Sequence, residues 1–193
     1  MATVFHELVS DLVHIDVHLV PATAQRPYHA LVTSGMSDRP MTVPPDLVGQ
    51  VPDRAEVMIL LPADWPIDQA SWQDERHYWP IRTLKVLARL PHEYDTWLGA
   101  WHSVPNGDPA KPYADDTGFC GVMLAPPLRF PPEFGTLRTE DGREITLLAV
   151  LPLLPDELVA KIEHGADVLL DGLDEHGVSE SAGPAARLGA GAA

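Results

Sequence analysis

The 193 residues, 45% of them hydrophobic, suffice for one domain with a sizeable core. Thirteen Lys and Arg against 28 Asp and Glu give a net charge of −15, which argues against gripping nucleic-acid phosphates or docking on anionic lipid; it suits a basic protein partner, or simply solubility. A single cysteine, Cys120, excludes an internal disulfide or a CxxC zinc site, and the longest apolar stretch, residues 145–154, is too short to span a bilayer and holds Thr146 and Pro152. The first residues carry neither the basic nor the apolar part of an export signal, so the expected compartment is the cytoplasm.

Twenty prolines, about twice average usage, predict short elements and many ordered loops. Residues 3–10 read as a short amphipathic helical turn. Residues 12–20 alternate, with Val13, Ile15, Val17 and Leu19 on one side and His14, Asp16 and His18 on the other, the period of a strand that Pro21 ends. A second strand is expected at 28–33, joined by a hairpin connection at 21–27. Residues 34–53 form a long loop rich in Pro and Gly, and 56–61 a buried strand.

The major helix is predicted over 69–89, with Asp68 as N-cap, a kink or break at Pro80 and a stop at Pro91. Trp72, Trp79, Thr83, Leu84, Val86, Leu87 and Leu90 fall near its spacing. Short strands follow at 100–104 and 119–124, separated by an Asn-Gly-Asp-Pro turn. Residues 136–139 and 143–151 flank a Glu-Asp-Gly hairpin turn. Residues 156–176 read as one helix, with Leu158, Ile162, Leu169 and Leu173 on one face, Asp156 and Glu157 at its positive end and Gly177 beyond its C-terminus. The expected fold is α+β: a mixed or antiparallel sheet with a large central helix and a C-terminal helix packed on one face of it. One domain covers 1–178, and 179–193 form a flexible tail.

His14, Asp16 and His18 are ligand types at period two, so a metal-dependent hydrolase is the alternative function, with His92, Glu93 or His102 completing the set. A half-buried strand face has the same pattern, and no second ligand motif exists, so no metal and no other cofactor is expected. No Gly-x-Ser-x-Gly elbow is present, although Ser34 and Ser37 lie near Asp38. Cys120, between Phe119 and Val122, reads as an inert core thiol. No catalytic residue is assigned. Tyr94, Trp97, Trp101 and Tyr113 cluster in one segment, either as interface anchors or as core.

Three stretches together resemble the suppressor of fused (SUFU) family: SDLVHIDVH at 10–18, LVTSGMSDRPM at 31–41, and PHEYDTWLG at 91–99 continuing to HSVPNGDP at 102–109. EVMILLP at 56–62 with Trp65, Trp79–Pro80, LAPP at 124–127 and EHGAD at 163–167 support the resemblance, which runs from Val4 to Val178. Relatives usually carry a short extra segment before the Phe-His-Glu stretch; here either it is missing or the start site is later.

The resemblance implies a binding scaffold without catalytic residues. Eukaryotic members have a further C-terminal lobe and sequester a zinc-finger transcription factor. Short single-domain members resemble the bacterial ones, many of them read as immunity proteins of polymorphic toxin systems. The expectation is therefore a bacterial, cytoplasmic, non-catalytic domain whose partner is a protein such as a basic toxin. The expected docking residues are Met36, Asp38, Arg39, Met41, Trp97, His102, Asn106 and Asp108, on two irregular loops. An exposed sheet edge offers strand addition as a further mode.

Overall fold

The computed structural model describes residues 3–5 and 12–175, with side chains through residue 170. The strands are β1 (Thr3–Phe5), β2 (Asp16–Val20), β3 (Tyr28–Ser34), β4 (Ala55–Pro62), β5 (Ser103–Pro105), β6 (Gly121–Ala125), β7 (Thr136–Arg138) and β8 (Glu144–Leu153). The helices are α1 (Glu75–Glu93), α2 (Pro155–His164) and α3 (Ala166–Glu175). Among the described residues these strands form one sheet in the order β1-β2-β3-β4-β8-β6-β5, with β7 also on β8. The β4–β8 pair is parallel and the others are antiparallel.

Alternation along the strands divides the buried side chains into two cores. Val57, Ile59 and Leu61 of β4, Val122 and Leu124 of β6, and Leu148 and Val150 of β8 pack with Trp79, Leu84 and Leu87 of α1. Met58, Leu60, Met123, Ala149, Leu151 and Leu153 point the other way and pack with Leu158 of α2 and Leu169 of α3. The expectation of helices on one face is therefore corrected: α1 covers one face, and α2 and α3 the other. Two covered faces explain why β4 and β6 read as continuous apolar runs.

The alternation predicted for 12–20 appears in the burial of Val13, Ile15, Val17 and Leu19, although pairing as a strand begins only at Asp16. Thr3–Phe5 is an edge strand on β2 instead of part of a helix, because Phe5 opposite Val17 packs edge-on against Trp72 with ring centroids 4.2 Å apart. The hairpins at 20–28 and 138–144 form as expected. Residues 6–10 and 176–193, including the predicted tail and Gly177, lie outside the described residues.

The major helix starts later than predicted and does not break. Asp68 accepts from the Ala70 and Ser71 N–H groups at 3.0 Å, just ahead of a 3-10 turn, Ser71–Gln73. Asp74 is the N-cap of α1, accepting from the Arg76 N–H at 3.0 Å. Pro80 removes one ladder bond, a loss of about 3 kcal/mol. Trp79, Ile81, Leu84 and Leu87 are each at most 2% exposed, and burial of each contributes about 1.5–3 kcal/mol, so packing outweighs the lost bond. Pro91 sits inside the last turn, and its carbonyl accepts from Thr96 N–H at 3.0 Å. Val86 is half exposed and outside the core stripe.

The predicted C-terminal helix is two helices. Gly165, at φ 90°, ends α2 and donates its N–H to the Lys161 carbonyl at 3.0 Å. The break turns Leu169 inward, while Ile162 is 65% exposed and not on the core face. No helix among the described residues is long and apolar enough to cross a membrane.

Candidate docking surface

The 34–53 loop is irregular but held fast where it leaves β3. Glu56, in β4, is 6% exposed and aims its carboxylate under the turn. Oε1 accepts from the Gly35 N–H at 3.0 Å, the Ser37 N–H at 3.0 Å and the Ser37 hydroxyl at 2.7 Å, and Oε2 from the Thr33 hydroxyl at 2.6 Å. A buried carboxylate is tolerated only with donors around it, and these four provide them. Arg54 donates to the Ser37 carbonyl, and His92 Nε2 lies 2.9 Å from the Met36 carbonyl oxygen. Gly35 takes φ 107°, and a Cβ there would sit 1.9 Å from the His14 carbonyl oxygen, so no other residue fits.

This clamp decides what the loop shows. Met36 and Met41 are 0% and 4% exposed and hold the loop from within, so neither side chain is presented to a partner. Asp38 and Arg39 point to solvent. The Met41 N–H donates to the Asp53 carbonyl at 2.7 Å, and Met41 Sδ accepts from the Leu98 N–H at 3.4 Å, which ties the loop to the Trp97 segment.

Trp97 and His102 are half-buried and meet edge-on with centroids 4.4 Å apart. Burial, aided by nearby Lys161, pushes the His102 pKa down, so the ring is neutral at pH 7. Trp101 adopts φ 70°, unusual for a bulky residue, and donates its N–H to the Leu124 carbonyl at 2.6 Å. Tyr113 stacks on Trp79 at 5.1 Å within the core, whereas Tyr94 is 73% exposed. Asn106 Nδ2 is spent on its own turn, donating to the Lys111 carbonyl at 2.8 Å and the Pro112 carbonyl at 3.2 Å. Asp108 is exposed.

The two loops do not form one patch. The first joins the start of β4, where Ala55 pairs with Thr146. The second follows Pro105, which pairs with Gly121, itself opposite Leu153. Thr146 and Leu153 are about 23 Å apart along β8 at ~3.3 Å per residue. Asp38 and Arg39 thus stand on the first loop, to which Leu98 ties the Trp97 segment through Met41, whereas Asn106 and Asp108 lie at the far end.

His14 Nε2 lies 3.2 Å from Asp16 Oδ1, and His18 Nε2 lies 2.8 Å from the Ser34 hydroxyl across the β2–β3 pair. His92 is engaged with Met36. His102 adjoins β5, and four strands separate β5 from β2, about 24 Å at ~4.8 Å spacing, so it cannot complete a site on β2. Among the described residues, no three His, Cys, Asp or Glu side chains are placed to share a metal ion. Cys120 is buried, which raises its thiol pKa. Sequence reasoning missed Glu56 and Thr33. The available signal was a lone acid inside the apolar run of residues 55–61, which demands a buried partner.

The family profile described as suppressor of fused protein (SUFU) matches residues 11–184. The chain belongs to the suppressor of fused family. Among solved structures, a SUFU homologue from Neisseria gonorrhoeae is 16% identical, with 93% of this chain and 83% of that one covered and a TM-score of 0.64. The Sufu–Fu complex is 14% identical, with 90% and 76% covered and a TM-score of 0.60. Drosophila Suppressor of Fused is 15% identical, with 83% of this chain but 38% of that one covered and a TM-score of 0.53. No curated protein matches the chain. At these identities the likeness establishes a shared SUFU fold.

Proposed function

We propose that this SUFU-family chain is a non-catalytic, cytoplasmic protein-binding domain of the immunity type, sequestering a basic partner such as a toxin. The observation that carries the reading is the clamped turn: Glu56 fixes the backbone beneath Asp38 and Arg39, so both side chains stand in solvent on a platform that loses little entropy on docking. The excess of acids over bases favours fast encounter with a basic partner. One similar solved structure is a complex of a SUFU protein with another protein.

The test is isothermal titration against the product of the neighbouring gene. A one-to-one complex is expected, with association slowing as salt rises and affinity falling at least about tenfold in the Asp38→Ala, Arg39→Ala double variant. Co-expression should relieve any toxicity of that partner. Absence of a complex, or a complex indifferent to the double variant, removes the reading.

A further inference from the structure

A second docking element lies on β7, two strands from the start of β4. β6 and β7 lie in line along one flank of β8: β6 pairs with residues 149–153, and β7 with 144–146. The outer flank of β6 is occupied by β5, but no described strand pairs with the outer flank of β7. The pairing pattern shows which groups face out. Thr139 donates its N–H to the Arg143 carbonyl at 3.0 Å, so 139 and 143 form a hydrogen-bonded pair, and by alternation so do 137 and 145. The Thr146 N–H turns the other way, to the Arg54 carbonyl at 3.0 Å. The N–H and C=O groups of Thr136 and Arg138 therefore point away from β8, and all three β7 residues are exposed.

Thr136 also lines a cleft of about 240 Å³, with Gly135, Pro126, Pro127, Pro132, Thr146 and Leu148 among its walls. That volume falls below the ~300–1,000 Å³ of pockets for small-molecule ligands, and holds about one large side chain. Outward backbone groups spaced two residues apart are satisfied by another extended backbone; a helix, whose own groups are already paired, cannot use them.

We propose that the β7 edge and this cleft bind an extended segment of a partner protein, which adds a strand beside β7 and seats one large apolar side chain among the prolines. Thr136 and Arg138 supply the main-chain hydrogen bonds, and the cleft selects the side chain. The exposed Arg138, already paired with Glu144, keeps the edge soluble when it is empty.

The probe is an acetylated, amidated hexapeptide of alternating Thr and Val with one central Phe, titrated into the isotope-labelled full chain at millimolar concentration. Amide shifts are expected at Thr136 and Arg138 and at the cleft wall around Leu148. The same peptide N-methylated at its hydrogen-bonding positions should bind at least about tenfold more weakly. Gly135→Val, whose Cβ would lie 3.7 Å from Pro127 Cδ, should narrow the cleft with similar loss. Shifts confined to β1 or β5, no shifts at all, equal binding of the N-methylated peptide, or equal binding of toluene alone would each overturn the proposal. The peptide comparison needs no variant to fold. Failure here leaves the reading of Asp38 and Arg39 standing, because neither residue lines the cleft or belongs to β7.

Discussion

The Ser37 hydroxyl donates to Glu56 Oε1 at 2.7 Å, and the same oxygen takes the Ser37 N–H at 3.0 Å, so one carboxylate oxygen fixes both the backbone and the side chain of one loop residue. With Gly35 N–H and the Thr33 hydroxyl also bound, the end of β3 and the start of the loop are set by a single acid in β4.

Glu56→Gln replaces an acceptor-only group by one that brings two N–H donors toward existing donors. Loss of about 3 kcal/mol is expected, since a charged acceptor and its buried partners are both affected. Urea unfolding should show a lower midpoint at unchanged slope. Unaltered stability would mean that the four hydrogen bonds are not made together.

Gly35→Ala and Gly142→Ala separate backbone strain from collision. Both glycines have positive φ, 107° and 84°. A Cβ at Gly142 meets nothing within 4 Å, so about 1–2 kcal/mol is expected from strain alone. At Gly35 it meets the His14 carbonyl oxygen at 1.9 Å, and the melting temperature should fall several times further.

Acid lability should trace to Asp74 and Asp141, among other carboxylates. The Arg76 side chain hydrogen-bonded to Asp74 lowers its pKa from 3.8 to about 2, and the Thr139 hydroxyl followed by Arg143 lowers that of Asp141 to about 2. A depressed carboxylate stabilises the fold above its unfolded value and loses that contribution as pH falls from 3.8 through about 2. Asp74→Asn and Asp141→Asn should each flatten the stability curve across that window and leave its shape above pH 5 unchanged.

His102 acts in a neighbouring window. Its pKa is held below 6.5, so the folded state disfavours the proton that the unfolded chain accepts. Stability is full above 6.5 and falls as pH drops through the folded value. His102→Gln should remove that part of the loss, read as a smaller drop in melting temperature between pH 7 and 5.

The sequence was most legible where one rule acted alone. Val13 to Leu19 kept their alternation because one side is core, and the Glu-Asp-Gly turn joined the strands that flank it. It misled where tertiary packing overrode local preference. Pro80 stays helical because Trp79 and Leu84 are anchored against the sheet. Gly165 breaks what periodicity joined, and Ile162, one turn beyond Leu158, stays exposed. The covering of both sheet faces follows from β4 and β6 being apolar on successive residues, a pattern that spacing alone does not assign to a strand. At the candidate surface, Met36 and Met41 looked like anchors because nothing local reveals that Glu56, on the next strand, pulls the turn inward. The separation of residue 38 from residue 108 is set by the register of β8, a long-range property.

The central parallel pair also governs when the molecule can be completed. Ala55 waits for Thr146, roughly 90 residues later, before β4 gains its second neighbour. During synthesis at about 5–20 residues per second, the apolar flank of β4 stays unpaired for several seconds. Nascent chains halted before residue 144 should therefore recruit holdase chaperones and resist compaction, and chains released beyond residue 153 should close the sheet in one cooperative step.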